Sequence, residues 1–445
     1  MEDVNVELGN IQDSVQILLD CTQNPTNTSS SAPVHTIPSR VRDLNPSAFT
    51  PRVVSIGPLH RDNENLVSFE GQKAIFLREL LRQTGLPPEE TLQKCLQKVH
   101  ASITEIREFY DGINTCDTDD KIERMMVMDG CFILEYIYMC AYDERDRNMV
   151  LPAAIVYDLL LIENQIPFFV LEYIFDCTSS RFTTSRFTTP VVASLSLIEL
   201  VSSFAQAVHI FDSTAIIKNI KKHHHILGMV HECYQASHPP PPGIPSLPIH
   251  STADLDKAGV KFEPHHRDPE WPMAMNLESS SEFVCFSSFR WCWCWPWAKR
   301  TLRMPKLYVT GDTELILRNL IAYEQFTPHV SHHITSYAMA MDMLINTEED
   351  VSILVESEVV FNSMGSNKEA ATMINHVCDG AYAASFFYLR EWEDLDTYYN
   401  SYWPRNIAWL RRTYFSNPWN MIALLAGTLL FLLTLVQTYF TINPL

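Results

Sequence analysis

Asp158-Leu159-Leu160-Leu161-Ile162-Glu163-Asn164-Gln165-Ile166-Pro167-Phe168-Phe169-Val170-Leu171 is the stretch on which the fold turns. It lies in a run from Val156 to Phe175 that is apolar nearly all round, and a helix without a polar face belongs at the centre of a bundle. Proline cannot donate the helical hydrogen bond, so Pro167 predicts a break in that run. Glu163, Asn164 and Gln165 stand just before it, a carboxylate and two amides suited to bonding the backbone groups that a break leaves unpaired. With Pro167 and Phe168 they are read as a structural signature rather than as chemistry.

Outward from this block the periodicity is helical. Met125 to Tyr138 is also apolar nearly all round and makes the second core helix. Leu66, Phe69, the Lys73 stem, Phe76, Leu77 and Leu80 recur at three and four, as do Leu92, Cys95, Leu96, Val99, Ile103, Ile106 and Phe109. Further helices are expected over Val191–Tyr234, Asp312–Gln325, His329–Asn346 and Ser366–Trp392, the last opened by a capping box of Ser366 and Glu369. Two five-residue copies, Ser180-Arg181-Phe182-Thr183-Thr184 and Ser185-Arg186-Phe187-Thr188-Thr189, are too short to stack and read as a loop expansion. The expected fold is mainly α, a multi-helix globular domain with minor β content and one C-terminal transmembrane helix. Residues 1–34 form a leader without apolar periodicity. Residues 35–235 and 251–415 form two parts of a helical core, divided by a Pro-rich spacer over 236–250 that contains Pro239-Pro240-Pro241-Pro242.

The composition excludes several classes. Among 445 residues, Lys plus Arg number 33 and Asp plus Glu 53, so the formal charge is −20. Such a charge repels phosphate backbones, which argues against nucleic acid as a partner. Glycines number only 13, and no two fall within five residues, so no dinucleotide fingerprint, Walker A loop or nucleophile elbow is present. Eleven cysteines occur without a CxxC spacing and no secretory signal opens the chain, which suggests free thiols in a reducing compartment.

From Trp419 to Phe440 the chain carries no charge. At 1.5 Å per residue these residues reach about 33 Å, against about 30 Å of bilayer hydrocarbon. Trp419 and Tyr439 sit near the two ends as interfacial aromatics do, with Ile422, Leu425, Leu429, Leu432 and Val436 between them as the expected anchor. Arg405, Arg411 and Arg412 precede the span, and the positive-inside rule then puts the bulk of the chain in the cytosol, with the plasma membrane favoured.

Six blocks carry a resemblance. Ile37-Pro38 with Ala48-Phe49-Thr50-Pro51, Val54-Ser55-Ile56-Gly57-Pro58-Leu59-His60, Met128-Asp129-Gly130-Cys131-Phe132-Ile133-Leu134-Glu135, the opening stretch, Ala258-Gly259-Val260-Lys261-Phe262 and Leu317-Arg318-Asn319-Leu320-Ile321-Ala322-Tyr323-Glu324-Gln325 resemble, in order, the signature blocks of the plant family called domain of unknown function 247. The resemblance implies a plant, largely helical, single-pass membrane protein, and it carries over no catalytic residues. Arg290-Trp291-Cys292-Trp293-Cys294-Trp295-Pro296-Trp297 departs from the family's usual moderately apolar strand.

Four constellations could carry chemistry. His223, His224, His225, His231 and Cys233 are ligand types that zinc takes, although adjacent helical residues point about 100° apart and cannot all converge. His329, His332 and His333 would share a helical face. Asp129, Glu135, Asp158 and Glu163 lie in apolar surroundings where burial raises a carboxyl pKa. Trp291, Trp293, Trp295 and Trp297, followed by Lys299, Arg300 and Arg303, could touch a bilayer interface. The expected function is a membrane-anchored interaction or recognition component with the lipid bilayer and an unknown protein as partners. No catalytic, cofactor-binding or metal residue is assigned. The alternative is a membrane-bound hydrolase or transferase using the buried carboxylates or a His cluster.

Overall fold

The computed structural model describes residues 34–110, 117–142, 154–183, 195–208, 210–211, 224–236, 238–244, 250–265, 271–282, 297–383, 385–401 and 418–442. The expectations for the leader, the second five-residue copy, His223, Arg405, Arg411, Arg412, Trp291, Trp293 and Trp295 lie outside them. The fold is mainly helical, and the chain divides into two compact units. The first comprises Met1–Val208, Ile217–Glu232 and Ala322–Ser331, the second His209–Ile216, Cys233–Ile321 and His332–Leu445.

In the first unit a short helix α1 (Ser39–Arg42) precedes α2 (Val67–Thr84), α3 (Pro88–Ala101), α4 (Ile103–Glu108) and α5 (Asp119–Tyr142). After these come α6 (Ala154–Asp158), α7 (Phe168–Thr178), α8 (Ser180–Thr183), α9 (Leu197–Ala207) and α10 (Ile226–Cys233). The core centres on α5, which packs against α2, α3, α7 and α9. Its Met126, Cys131, Phe132, Leu134, Tyr136 and Ile137 are all buried. Phe132 stacks on Tyr136 and meets Phe69 and Phe76 of α2 edge-on, at 5.7 and 5.1 Å between ring centroids. By length and hydropathy alone α5 could also cross a membrane, but 67% of its most apolar window is buried inside the fold.

The expected run over Val156–Phe175 is not one kinked helix. Helix α6 ends at Asp158, residues 159–167 form a buried loop, and α7 starts at Phe168 with Pro167 as its N-cap. Pro167 therefore sits where its missing N–H costs nothing. The second predicted stripe is likewise split: Ser102, with φ −114° and ψ 18°, leaves helical geometry between α3 and α4. The long region expected over Val191–Tyr234 resolves into α9 and α10, joined by non-helical chain at Ile210 and Phe211.

The second unit holds α11 (Thr252–Lys257), β1 (Lys261–Pro264), β2 (Asn276–Glu282), β3 (Trp297–Met304), β4 (Leu307–Val309), α12 (Thr313–Phe326), α13 (His333–Leu344) and α14 (Glu348–Glu356), except that α12 from Ala322 onward belongs to the first unit, while Cys233 at the end of α10 belongs to the second. Then follow β5 (Val360–Asn362), α15 (Asn367–Val377), α16 (Leu389–Tyr399) and α17 (Pro418–Ile442). A three-stranded sheet runs β1-β3-β2, with β1 parallel and β2 antiparallel to β3, and β4 pairs in parallel with β5. Trp271, Phe386, Tyr388 and Trp392 form a buried aromatic cluster there, and the Tyr388 hydroxyl donates to the Met273 carbonyl at 2.8 Å.

Two predicted helices shorten. Ser366 caps α15 by accepting from the Glu369 N–H at 3.2 Å, but the helix ends at Val377 and a separate α16 carries Trp392. Helix α13 starts only at His333, because His329 adopts φ +64°, outside right-handed helical geometry. Helix α17 is a 25-residue helix without a charged side chain. The side chains described without a gap run over Leu425–Tyr439.

Candidate functional site

The first unit contains a polar cluster sealed inside an apolar core. Its centre is the loop between α6 and α7, and its purpose is set by the segment 50–60, which crosses the interior with no regular secondary structure. Buried N–H and C=O groups in such a segment need partners, and no neighbouring strand supplies them. Side chains do so instead. The Asp158 carboxylate accepts from the N–H groups of Arg52, Val53 and Val54 at 2.8, 2.7 and 2.9 Å. Asn164 accepts from the Ile56 N–H at 2.7 Å and donates to the carbonyls of Val54 and Asp158 at 3.0 and 2.9 Å. The Asn164 amide thus mimics a strand, giving and taking one bond on the same chain.

Asp129 of α5 extends the clamp. One oxygen accepts from the Gly57 N–H at 2.9 Å and the other from the Lys73 ammonium at 2.6 Å. Lys73 is fully buried on α2 and also bonds the Ser55 carbonyl and Glu70. Gly57 has φ +71°, and a Cβ there would lie 2.7 Å from the Gln165 carbonyl oxygen, so both backbone geometry and space demand glycine. The Tyr110 hydroxyl donates to that same carbonyl at 3.0 Å.

Glu163 and Gln165 divide the labour differently from expectation. Gln165 does serve the break: its amide donates to the Leu159 and Leu161 carbonyls at 2.8 and 2.9 Å and accepts from the Leu227 N–H at 3.2 Å. Glu163 does not bond backbone around Pro167. It reaches the N-terminal segment, accepting from the Ile37 N–H at 2.6 Å and from Arg42, with His60 Nε2 at 3.1 Å. Phe168 is buried, and its N–H donates to the His224 carbonyl at 2.7 Å. Farther along α5, Glu135 takes a two-pronged bond from the Arg181 guanidinium at 2.9 and 3.1 Å, while that guanidinium lies 4.1 Å over the Tyr138 ring.

The electrostatics follow from these partners. Burial pushes the Asp158 carboxyl above its usual range, with the three N–H donors pulling against it. Burial likewise raises Asp129, opposed by Lys73. At Glu163 burial also pushes upward, but the bonds from His60, Arg42 and the Ile37 N–H outweigh it and the carboxyl falls below its usual range. These oxygens face main-chain N–H groups and cations, an arrangement that holds chain in place rather than one that moves protons.

The histidines make different bonds. His224 is exposed, though loss of solvation by its neighbours still lowers its pKa. His225 Nδ1 accepts from the Gly228 N–H at 3.0 Å, and His231 Nε2 is 2.8 Å from Glu324. Both rings meet Tyr323 edge-on at 5.2 Å. Cys233 is only partly buried at the end of α10. His329 lies in a turn, His332 is the N-cap of α13 and His333 is buried on that helix against Phe387, so the expected shared face does not form. In the sheet, Trp297, Lys299, Arg300 and Arg303 fall on the central strand β3, where Arg303 pairs with Glu263 and Glu278 at 3.2 and 2.8 Å.

Four of the six blocks read from the sequence meet in this one cluster, through Ile37, Ile56, Asp129 and the loop ending at Pro167. A model of a family described as plant protein of unknown function matches residues 34–433. The chain belongs to the DUF247 family. A UPF0481 protein of Arabidopsis thaliana is 26% identical over 436 residues, covering 90% of this chain and 84% of its own. A second, putative UPF0481 protein of the same plant is 23% identical over 504 residues, covering 91% and 89%. No solved structure matches the chain. The DUF247 match opens at Val34, where the described chain begins to bond Phe109, and closes within α17.

Sequence reasoning did not find Lys73, Arg42, His60, Arg181 and Tyr110 as partners. Lys73 had a usable signal, since an ammonium on an apolar helix stripe needs a buried anion. The others are joined across 46 to 121 positions, beyond any local pattern.

Proposed function

We propose that this protein is anchored in a bilayer by α17 and holds its two helical units at the membrane surface as a recognition component for another protein. The observation that carries this reading is the exposure of α17. Trp419, Ile422, Leu425, Leu429, Leu432, Val436 and Tyr439 are between 53% and 77% exposed, whereas the apolar side chains of α5 are covered by its neighbours. Leaving that much apolar side chain in water is costly at about 25 cal/mol per Å², and a bilayer removes the cost. The helix also hides its polar groups as a lipid-facing helix does: Thr434 and Thr438 donate to the carbonyls of Leu430 and Thr434 at 2.8 and 2.7 Å. A length of 25 residues gives about 38 Å, enough to span with some tilt.

The recognition role draws support from the clamp. Its charged and amide groups are engaged in holding the chain, which leaves surface loops as the elements free to meet a partner. Deleting Trp419–Leu445 tests the anchor: the truncated chain should move from the membrane pellet to the soluble fraction, with helix content lowered only by the loss of α17 itself. A truncated chain that still resists alkaline carbonate contradicts the reading. Crosslinking in intact membranes, followed by mass spectrometry of the captured proteins, then tests the partner.

A further inference from the structure

In the second unit the Pro-rich spacer runs as a strap held at both ends. At its start the His238 ring meets Trp271 edge-on at 6.2 Å and lies 6.3 Å from Phe387, two side chains that are themselves buried and 5.7 Å apart. At its end the Gly243 carbonyl accepts from the Phe386 N–H at 3.2 Å. Gly243 adopts φ +118°, which only glycine takes readily, and the chain bends there. Between the two pins stand Pro239, Pro240, Pro241 and Pro242. Each proline fixes its φ at about −65°, and each residue before a proline is driven out of the α region to extended ψ. Residues 239–241 meet both conditions, so covalent geometry alone sets them in a polyproline II helix. With about three residues per turn, that helix puts Pro239 and Pro242 on one edge. These two are the exposed prolines, while Pro240 and Pro241 are partly covered. Among the described residues no donor reaches the carbonyls of Pro240, Pro241 and Pro242.

We infer that Pro239–Pro242 is a preformed docking strap for a partner protein that carries an aromatic-lined groove with a basic rim. Grooves of that kind take polyproline II chain because flat aromatic side chains pack on the prolyl rings and polar tips at the groove edge reach the free carbonyls. The exposed edge of Pro239 and Pro242, with open carbonyls beside it, presents both features. The pins at His238 and Gly243 have already removed much of the freedom that a loose segment loses on binding, so docking costs little further order.

Charge narrows the partner. Helix α16 starts beside the strap: a Cβ at Gly243 would lie 3.6 Å from the Leu389 Cδ2, and Glu391 is near enough to His238 for the two charges to interact. Glu393 and Asp394 follow on the same helix and are exposed, with Arg390 as the cation among them. This acidic excess is complementary to Lys or Arg on the rim of the groove. The inference rests on the recognition role proposed above, and gives that role a site and a kind of partner.

The test titrates the full chain, held in detergent micelles, with purified and fluorescently labelled SH3, WW and EVH1 domains that bear Lys or Arg beside the groove, and reads anisotropy. The expected result is saturable binding by at least one of these classes, weakening as salt is added. Pro239→Ala together with Pro242→Ala should lower the affinity roughly tenfold or more, with the near-ultraviolet dichroism of the Trp271 cluster unchanged. A synthetic peptide of residues 238–245 should compete for the domain against the native chain, a readout that does not depend on the variant folding. No binding by any of the three classes would overturn the inference, as would binding that persists through the double substitution, through added salt or against the peptide. Partners crosslinked in membranes whose capture survives the double substitution would leave the recognition role standing and overturn this site alone.

Discussion

Glu163 joins the loop before Pro167 to the N-terminal segment, so its replacement separates holding from chemistry. Glu163→Ala strands the Ile37 N–H and the Arg42 charge and should cost about 1–3 kcal/mol, while Glu163→Gln keeps an acceptor and should cost less. Thermal melts of both variants check the order. The carboxyl lies below its unfolded value of 4.5, so its stabilisation is complete above that pH and is lost as pH falls through the folded value. The stability gap between the native chain and Glu163→Gln should therefore be constant above about pH 5 and close in stronger acid. Gly57→Ala should destabilise by more than about 1 kcal/mol, because it meets both an unfavourable φ and the Gln165 carbonyl. At this scale the sequence made the Gln165 role legible, since amides beside a proline break have few other duties. It did not reveal what Asn164 and Glu163 grip, because Ile56 and Ile37 lie 108 and 126 positions away.

Among the elements, α5 and α8 show what burial does to charge. Arg181→Ala leaves Glu135 buried without its cation and should cost about 3–5 kcal/mol, whereas Glu135→Leu with Arg181→Leu together should recover much of that loss. Urea melts of the single and double variants decide between an ion pair that stabilises and one that merely avoids a penalty. Phe168→Ala should cost about 3–5 kcal/mol, because its side chain is buried at the start of α7. Phe169 is only partly buried, so Phe169→Ala should cost less. The periodicity of α2 and α3 was readable because each presents an ordinary apolar stripe. Helix ends were not. At the 159–167 break the Leu159 and Leu161 carbonyls bond the Gln165 side-chain amide in place of helical N–H groups, and hydrophobic spacing records neither this break nor those at Ser102 and between α15 and α16.

For the whole molecule, the helical character and the family were legible, the first from period and the second from ordered blocks that the structure draws together. The sheet was not, since β3 pairs with β1 in parallel and with β2 in the opposite sense, pairings that no local pattern records. The proposed anchor rests on one continuous property, a charge-free helix whose apolar residues are exposed. Protease added to sealed vesicles with the cytosolic face outward tests it most directly. The account predicts digestion of both helical units, with α17 surviving as a protected fragment of about its own 25 residues. Full digestion with no protected fragment would remove the helix from the bilayer, and survival of the units would reverse their side of the membrane.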